Sequence, residues 1–355
     1  MRRALLFFSY CLCAISMAQV PFTTLEDRFY IFANGRFEKM EPRPPKRVFT
    51  MEGKVVYEDH DGHLKVFLAD DRKLFMLQAE GAGAVDATRL QLAWLAADTL
   101  KRLVNGMAQV MEVGVMDLNV QDELIGYTSV QGMKLFHEGN TYEIPLRPHA
   151  TPILGSNTFL YPDTAGRLML FHDGLFIELA TEEEAVPLAA GRDIAAWWDP
   201  VKGCQLYHGG TMEQLTSQRP LEMRAAEGTM AYTLPVGGLH LFSHGRSMPV
   251  TERHPTLFEL SGPLLLYVLD GQFHVVRNGE PALTEAFIPE WWAMHKDMLV
   301  YMDLDRELWG LRDGEHVRIG RERPVHEPAL FGDEVIYISR TANHVVVQGR
   351  KINIF

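Results

Sequence analysis

The stretch Ser156–Leu179, SNTFLYPDTAGRLMLFHDGLFIEL, decides the fold of this chain. Its pattern predicts three short strands, over Thr158–Tyr161, Arg167–Phe171 and Leu175–Leu179. The last two are joined by His172–Gly174, and an Asp-Gly pair between apolar runs is a strong hairpin signal because Gly adopts positive φ without strain. The stretch therefore predicts a small antiparallel sheet.

The chain repeats this pattern from end to end, as two series of landmark residues indicate. The aromatic that closes the first strand recurs at steps of 33–37 residues, at Tyr57, Trp94, Tyr127, Tyr161, Trp197, Tyr232, Tyr267, Tyr301 and Tyr337. The hairpin-turn residue recurs at steps of 33–36, at Gly35, Asp70, Gly106, Gly139, Gly174, Gly210, Gly245, Gly279, Gly314 and Gly349. Phe22 precedes Gly35 by 13 residues and completes a tenth unit. A period of about 35 residues indicates a solenoid, a propeller or a linear array.

The N-terminal residues have the pattern of a cleaved signal peptide. A basic pair, Arg2 and Arg3, precedes the apolar run Ala4–Ile15, and small residues at Ser16 and Ala18 predict cleavage before Gln19. We therefore divide the chain into a signal peptide over residues 1–18 and one repeat domain over 19–355. This predicts a periplasmic or extracellular protein.

Composition excludes several classes of function for the mature chain. Removal of Arg2 and Arg3 takes the net charge from −12 to −14, which argues against partners such as nucleic acid or an anionic membrane surface. Cys204 is the one cysteine that remains, so no intramolecular disulfide is possible. We expect no membrane span, because no other stretch is apolar enough for a transmembrane helix.

Many short strands at regular spacing predict an all-β protein, and three to four strands in each unit is the layout of a propeller blade. The repeats have three possible arrangements, namely one ring of about ten blades, two smaller rings or an open array. A single ring is favoured, because the aromatic spacing stays at 36 and 35 residues near the middle of the chain, where two rings would show a break. The third unit, Arg89–Val113, has a helix-like composition, but Trp94 and Gly106 stay in register and so predict strands.

The repeat resembles the TolB-type β-propeller repeat, in which an aromatic-ended strand is followed by a turn and a second apolar strand. The family's Ser-Pro-Asp-Gly turn is absent here, and only Asp59, Asp163, Asp199 and Asp303 occupy the corresponding turn position, two residues after the aromatic. The resemblance implies the propeller fold and a secreted or periplasmic setting. It implies no catalytic residues.

Polar residues recur four positions before the landmark aromatic. They are Glu123, Asn157, Asp193, Asp297 and Asp333. If the aromatic-ended strand is innermost, these side chains form a partial ring around the axial channel, suited to a hard cation such as calcium or to polyol hydroxyls. The alternative is that Asn and Asp simply start strands after a glycine turn.

Two other groups of residues are weaker candidates for a site. His137, His172 and His208 share one repeat position, but equivalent atoms in neighbouring blades are too far apart to bind one ion at about 2 Å, so no metal site is predicted there. Trp198, Trp291 and Trp292 could stack on sugars, although aromatic residues mostly serve burial.

Two functions remain open from the sequence. The first is a secreted binding or scaffold protein with a protein or glycan partner, which the absence of long insertions between repeats favours. The second is a propeller enzyme that acts on polysaccharide or peptide through axial carboxylates. The sequence contains no motif that identifies a catalytic residue, and it predicts no cofactor other than calcium.

Overall fold

The computed structural model describes residues 19–181, 184–320, 322–349 and 351–355, and it consists of ten small antiparallel sheets. The predicted signal peptide and its cleavage site lie almost wholly outside these residues. No helix occurs in the described ranges, so none there is long and apolar enough to cross a membrane.

The first five sheets follow one another along the chain. Sheet 1 contains β1 (Val20–Thr23), β2 (Phe29–Ala33) and β3 (Arg36–Glu41). Sheet 2 contains β4 (Arg47–Met51), β5 (Lys54–Glu58), β6 (Leu64–Leu68) and β7 (Lys73–Gln78). Sheet 3 contains β8 (Val85–Ala87), β9 (Leu92–Ala96), β10 (Thr99–Val104) and β11 (Met107–Val113). Sheet 4 contains β12 (Val115–Val120), β13 (Leu124–Ser129), β14 (Gly132–His137) and β15 (Asn140–Ile144). Sheet 5 contains β16 (Ile153–Leu154), β17 (Thr158–Pro162), β18 (Leu168–His172) and β19 (Leu175–Ala180).

The other five sheets continue in the same way. Sheet 6 contains β20 (Val186–Ala190), β21 (Ile194–Asp199), β22 (Gly203–His208) and β23 (Thr211–Thr216). Sheet 7 contains β24 (Glu222–Ala225), β25 (Met230–Leu234), β26 (Gly238–Ser243) and β27 (Arg246–Thr251). Sheet 8 contains β28 (Leu257–Ser261), β29 (Leu264–Leu269), β30 (Gln272–Arg277) and β31 (Glu280–Glu285). Sheet 9 contains β32 (Trp291–His295), β33 (Met298–Met302), β34 (Leu308–Arg312) and β35 (Glu315–Arg318). Sheet 10 contains β36 (Ala329–Phe331), β37 (Glu334–Ile338), β38 (His344–Gln348) and β39 (Lys351–Ile354).

Within each sheet every strand pairs with the next strand in the chain, so each sheet is a simple meander. The third unit forms the four strands β8 to β11, which confirms the strand prediction over its helix-like composition. The first strands of neighbouring sheets contact one another, as β4 does with β8 and β20 with β24. The first strand is therefore innermost in a four-stranded sheet, and the aromatic-ended strand is second from the axis.

Sheet 1 differs from the others because it has three strands among the described residues. Its β2 and β3 flank the turn at Gly35, which matches the turn between the third and fourth strands elsewhere. Strand β1 therefore corresponds to a second strand, and Gln19 stands where other sheets turn from their first strand into their second.

The core lies between adjacent sheets and is built from the landmark aromatics. Trp94 of sheet 3 packs with Val56 and Val66 of sheet 2, and Trp197 of sheet 6 packs with Leu160 of sheet 5. Several landmark tyrosines also donate a hydrogen bond to a glutamate in the last strand of the preceding sheet. Tyr57 donates to Glu41 at 3.0 Å, Tyr127 to Glu112 at 2.9 Å and Tyr301 to Glu285 at 2.6 Å.

The first and last sheets pack together and close a single ring, as favoured from the sequence. Val20 and Phe32 of sheet 1 share a buried cluster with Ile336 and Val346 of sheet 10. His344 also contacts the backbone carbonyl of Thr23 at 3.0 Å. The ten repeats therefore form one propeller rather than two rings or an open array.

Candidate functional site

Two adjoining cavities lie at the end of the axial channel where the first strands turn into the second strands. One has a volume of about 350 Å³ and is lined by residues of sheets 2, 3, 9 and 10 and by Gln19. The other, of about 430 Å³, is lined by residues of sheets 3 to 9. Arg89, His295 and Lys296 line both, so the two volumes meet there. We call this region the channel mouth.

The channel mouth carries charges of both signs, and several are paired. Arg89 Nη1 lies 2.7 Å from Glu52 Oε2, and Arg89 Nε lies 3.6 Å from Asp122 Oδ2. Arg192 Nη2 lies 3.6 Å from the same oxygen of Asp122, and the Arg192 guanidinium also contacts Glu123. A chain of alternating charges thus crosses sheets 2, 3, 4 and 6 around the axis.

His295 is a second feature of the channel mouth. Burial lowers the pKa of its imidazole, and the adjacent Lys296 and the more distant Arg89 act in the same direction against Asp333 and Glu227. His295 is therefore held neutral at pH 7, where one ring nitrogen donates and the other accepts.

The five residues predicted to ring the axis all lie in turns between a first and a second strand, but they are not all directed at the channel. Asp333 lines the first cavity, whereas Glu123 lines a different one beside β9, β10 and β14. Asn157, Asp193 and Asp297 line neither channel cavity. A further strand precedes theirs and lies nearer the axis, so the condition under which all five would rim the channel is not met. A ligand-binding role for them stays a prediction.

Asn157 and Asp193 are brought together with a histidine and a tyrosine. Asn157 Nδ2 donates to Asp193 Oδ1 at 2.6 Å, and the same oxygen lies 2.9 Å from His172 Nε2. The other ring nitrogen, Nδ1, lies 2.9 Å from the hydroxyl of Tyr207. Burial opposes ionisation of Asp193, but the hydrogen bonds from Asn157 and His172 outweigh it and hold the pKa of this carboxyl below its usual value.

Asp297 and Asp333 each form an ion pair with an arginine at the end of a third strand in the preceding sheet. Asp297 Oδ2 lies 3.5 Å from Arg277, and Asp333 Oδ2 lies 2.9 Å from Arg312. His172 occupies the same repeat position as these arginines and contacts Asp193 of the next sheet. At this position a basic side chain therefore links one sheet to the polar turn of the next.

Comparison with known proteins agrees with this architecture. A family model described as a 10-bladed beta propeller domain matches residues 14–350. This chain belongs to the ten-bladed β-propeller family. No curated protein matches it.

Solved structures resemble the ten-bladed propeller only distantly. Apo AztD from Citrobacter koseri is 11% identical, with 85% of this chain and 92% of that chain covered and a TM-score of 0.40. The computationally designed Ika8 protein is 13% identical, with coverages of 76% and 93% and a TM-score of 0.36. Hsv2 of Kluyveromyces lactis is 13% identical, with coverages of 75% and 92% and a TM-score of 0.32. At these values the similarities carry no argument about function.

The sequence prediction chose a repeat position that is one residue away from the position whose side chains line the channel mouth. Five residues before the landmark aromatic stand Glu52, Arg89, Asp122, Ser156, Glu227 and Lys296, all of which line the two cavities. The signal was present as a run of charged and polar residues at one repeat position. It was hidden because the neighbouring position is also polar and lies in the same short turn.

Two of the three candidate tryptophans pack within the propeller. Trp291 and Trp292 pack against hydrophobic clusters, and Trp292 Nε1 donates to Glu259 of the neighbouring sheet at 3.2 Å. Trp198 is half-buried on β21, beside the fully packed Trp197. Burial thus accounts for Trp291 and Trp292 without a ligand.

Proposed function

We propose that this propeller is an exported binding protein that takes a small zwitterionic ligand, such as an amino acid or short peptide, into the channel mouth. The two cavities are of the size at which proteins bind small ligands, about 300–1,000 Å³. They lie on the ring axis, where turns from nine sheets meet and a ligand can contact several of them at once.

The observation that carries the proposal is a pair of opposite charges at the mouth, Lys296 and Glu227, that form no ion pair with any residue the structure describes. Arg89 is bound by Glu52, and Asp333 by Arg312. In contrast, no ion pair within the described ranges involves Lys296 or Glu227, although both line the second cavity. A ligand with a carboxylate for Lys296 and an ammonium group for Glu227 would satisfy both, and neutral His295, which lines the same cavity, can donate or accept a hydrogen bond.

Calorimetric titration tests this assignment on residues 19–355. A panel would contain amino acids, di- and tripeptides, simple carboxylates, simple amines, neutral sugars and calcium chloride. We expect zwitterions to bind and Lys296→Met to weaken binding at least about tenfold, since a charged hydrogen bond contributes roughly 1.5–3 kcal/mol. Lys351→Met, which removes an exposed lysine from the outer strand β39, is the matched control and should bind as the wild type does.

Other results would indicate a different binding site or a different kind of partner. Binding of neutral sugars or calcium that is unaffected by Lys296→Met but lost in Asp193→Asn would support the five-residue axial ring instead. No binding of any small molecule would contradict the proposal and point to a protein partner on the same face.

The proposal that the protein is exported rests on the N-terminal sequence pattern. If the full-length chain is expressed in a Gram-negative host with its own N-terminus, we expect the periplasmic fraction to contain a product that begins at Gln19. Arg2→Glu with Arg3→Glu should retain the precursor in the cytoplasm, because the basic n-region is part of the export signal. An uncleaved wild-type protein in the cytoplasm would contradict this part of the proposal.

A second candidate function is an enzyme, and the hydrogen-bonded series Tyr207, His172 and Asp193 favours it. An imidazole held between a phenol and a carboxylate is oriented for general acid–base catalysis. Asp193→Asn should then abolish hydrolysis of a polysaccharide or peptide substrate while the unfolding midpoint stays close to that of the wild type. Because Asp297 pairs with Arg277 instead of facing Asp193, Asp297→Asn serves as the control and should retain activity.

A further inference from the structure

A second group of candidate ligand atoms lies on the same face of the ring but away from the axis. Glu123 stands in the turn before β13, His137 ends β14, and Asp173 lies in the turn between β18 and β19 of the next sheet. One carboxylate or imidazole atom from each lies within 4.8 Å of the other two. The three residues come from three different repeat positions. A comparison of residues that share one repeat position, such as His137 and His172, therefore could not reveal the group.

His137 distinguishes this group from an ordinary surface cluster. The residue is 4% exposed, and its ring packs edge-on against Phe171 with centroids 5.5 Å apart. No hydrogen bond to its ring nitrogens is found within the described ranges, so a lone pair of the neutral ring is available to an ion. The imidazole is nevertheless directed at two carboxylates that are too distant to bond to it.

We propose that Glu123, His137 and Asp173 bind a divalent transition-metal ion of the zinc class. Two ligand atoms, each about 2.0–2.2 Å from one ion, are at most about 4.4 Å apart, so the three side chains, whose candidate atoms lie within 4.8 Å of one another, close the site by small rotations toward the ion. The imidazole nitrogen favours zinc and its neighbours over calcium and magnesium, which prefer all-oxygen sites. The proposal does not depend on the function assigned to the channel mouth.

The surrounding charges are compatible with such an ion. The Arg192 guanidinium contacts Glu123, and since a carboxylate has two oxygens this contact leaves one of them to coordinate while it holds the ligand in place. His172 Nε2 lies 3.5 Å from Asp173 Oδ2, but it is already bound to Asp193 and its other nitrogen to Tyr207. We therefore assign His172 as a neighbour that orients Asp173 and not as a ligand.

A rival cluster, Asp59, Asp61 and His63, has its central carboxylate fully engaged. Asp59 Oδ1 accepts from the backbone of Asp61 and of His63, both at 2.9 Å. Asp59 Oδ2 lies 2.7 Å from Lys65 Nζ and 3.0 Å from His63 Nδ1. These contacts hold the turn without an ion. We therefore expect an ion to bind the cluster of Glu123, His137 and Asp173 and not the cluster of Asp59, Asp61 and His63.

Calorimetric titration of untagged residues 19–355 with zinc chloride, after dialysis against a chelator, tests the proposal. We expect one ion to bind per chain and His137→Ala to abolish binding. Asp173→Asn, which replaces an exposed side chain and should not disturb folding, should weaken binding at least about tenfold. The controls His63→Ala and His254→Ala, the latter exposed and outside every candidate group, should bind as the wild type does.

Three outcomes would overturn the proposal. They are no zinc binding by the wild type at millimolar concentration, loss of binding in His63→Ala with retention in Asp173→Asn, and a stronger response to calcium than to zinc. A thermal-denaturation readout gives an independent check, because an ion that binds only the folded state must raise the midpoint more in the wild type than in Asp173→Asn.

Discussion

At the scale of single residues, neighbouring positions of one short turn can have different surroundings. Lys296 lines the channel mouth, and the next residue, Asp297, pairs with Arg277 of the preceding sheet. Asp122 lines the channel mouth, whereas Glu123 does not and lines a neighbouring cavity that Asp122 also borders. The direction of a turn side chain depends on the neighbouring sheet, so a repeat register alone does not reveal it.

Glu334 is a buried carboxyl group whose protonation should affect stability. The side chain is 1% exposed, Gln348 donates to one carboxylate oxygen, and the other oxygen has no partner within the described ranges. Burial raises the pKa of Glu334 to about 8, against the hydrogen bond from Gln348, and Asp333 adds to the increase.

The sign of the pH dependence follows from this raised pKa. The folded state binds the proton of Glu334 more tightly than the unfolded chain, whose carboxyl titrates near 4.5. The stabilisation is therefore complete below pH 4.5 and is lost as the pH rises through about 8. We expect urea denaturation to show a loss on the order of 5 kcal/mol over this range. Glu334→Gln should remove most of it.

Glu280→Gln, at an exposed position on β31, is the control and should leave the pH profile of the wild type unchanged. If the profile of Glu334→Gln matches the wild type, then Glu334 ionises freely in the folded state and the argument from burial is wrong.

At the scale of elements, the turns between first and second strands interlock around the ring. Thr158 Oγ1 donates to the carbonyl of Gly191 in the next sheet at 2.7 Å, and Thr229 Oγ1 donates to the carbonyl of Gly262 at 2.7 Å. The backbone N–H of Arg192 donates to the carbonyl of Ala226 at 3.2 Å. Each turn is thus held by the turn that follows it.

Gly191 tests how tightly these turns pack. A methyl group at this position would overlap the carbonyl oxygen of Ala226 in the next sheet, which is backbone and cannot rotate away. We expect Gly191→Ala to reduce the free energy of unfolding by at least about 2 kcal/mol in urea denaturation. Gly81→Ala, where nothing lies within 4 Å of the added carbon, should change it by less than about 0.5 kcal/mol. Equal stability of the two variants would show that the turns are not in contact.

At the scale of the whole molecule, the propeller depends on contacts between its first and last sheets. Phe22 of sheet 1 lies against His344 and Phe355, with ring centroids 4.8 and 5.5 Å apart. Phe355 also contacts Tyr30 and Phe37, at 4.7 and 5.1 Å. These rings cover the seam where the two ends of the repeat array meet.

A double-mutant cycle measures this closure directly. Phe22→Ala and Phe355→Ala should be non-additive, with a coupling of about 0.5–1.5 kcal/mol as for other aromatic pairs in contact. The control pair, Phe22→Ala and Phe176→Ala, joins residues of sheets 1 and 5 and should be additive. Additivity of the first pair in urea denaturation would mean that the ring is open in solution.

The sequence by itself determined the architecture, because the forces involved are local. Strand alternation, glycine turns with positive φ and one buried aromatic in each unit recur every 35 residues or so, and this period predicted the number of sheets and the strand in the third unit. Only the tertiary structure decided which strand is innermost, which turn residue lines the channel, and that Glu123, His137 and Asp173 converge. These properties depend on the packing of each sheet against the next, between residues that are often more than 30 positions apart, and no pattern within a single repeat records that packing.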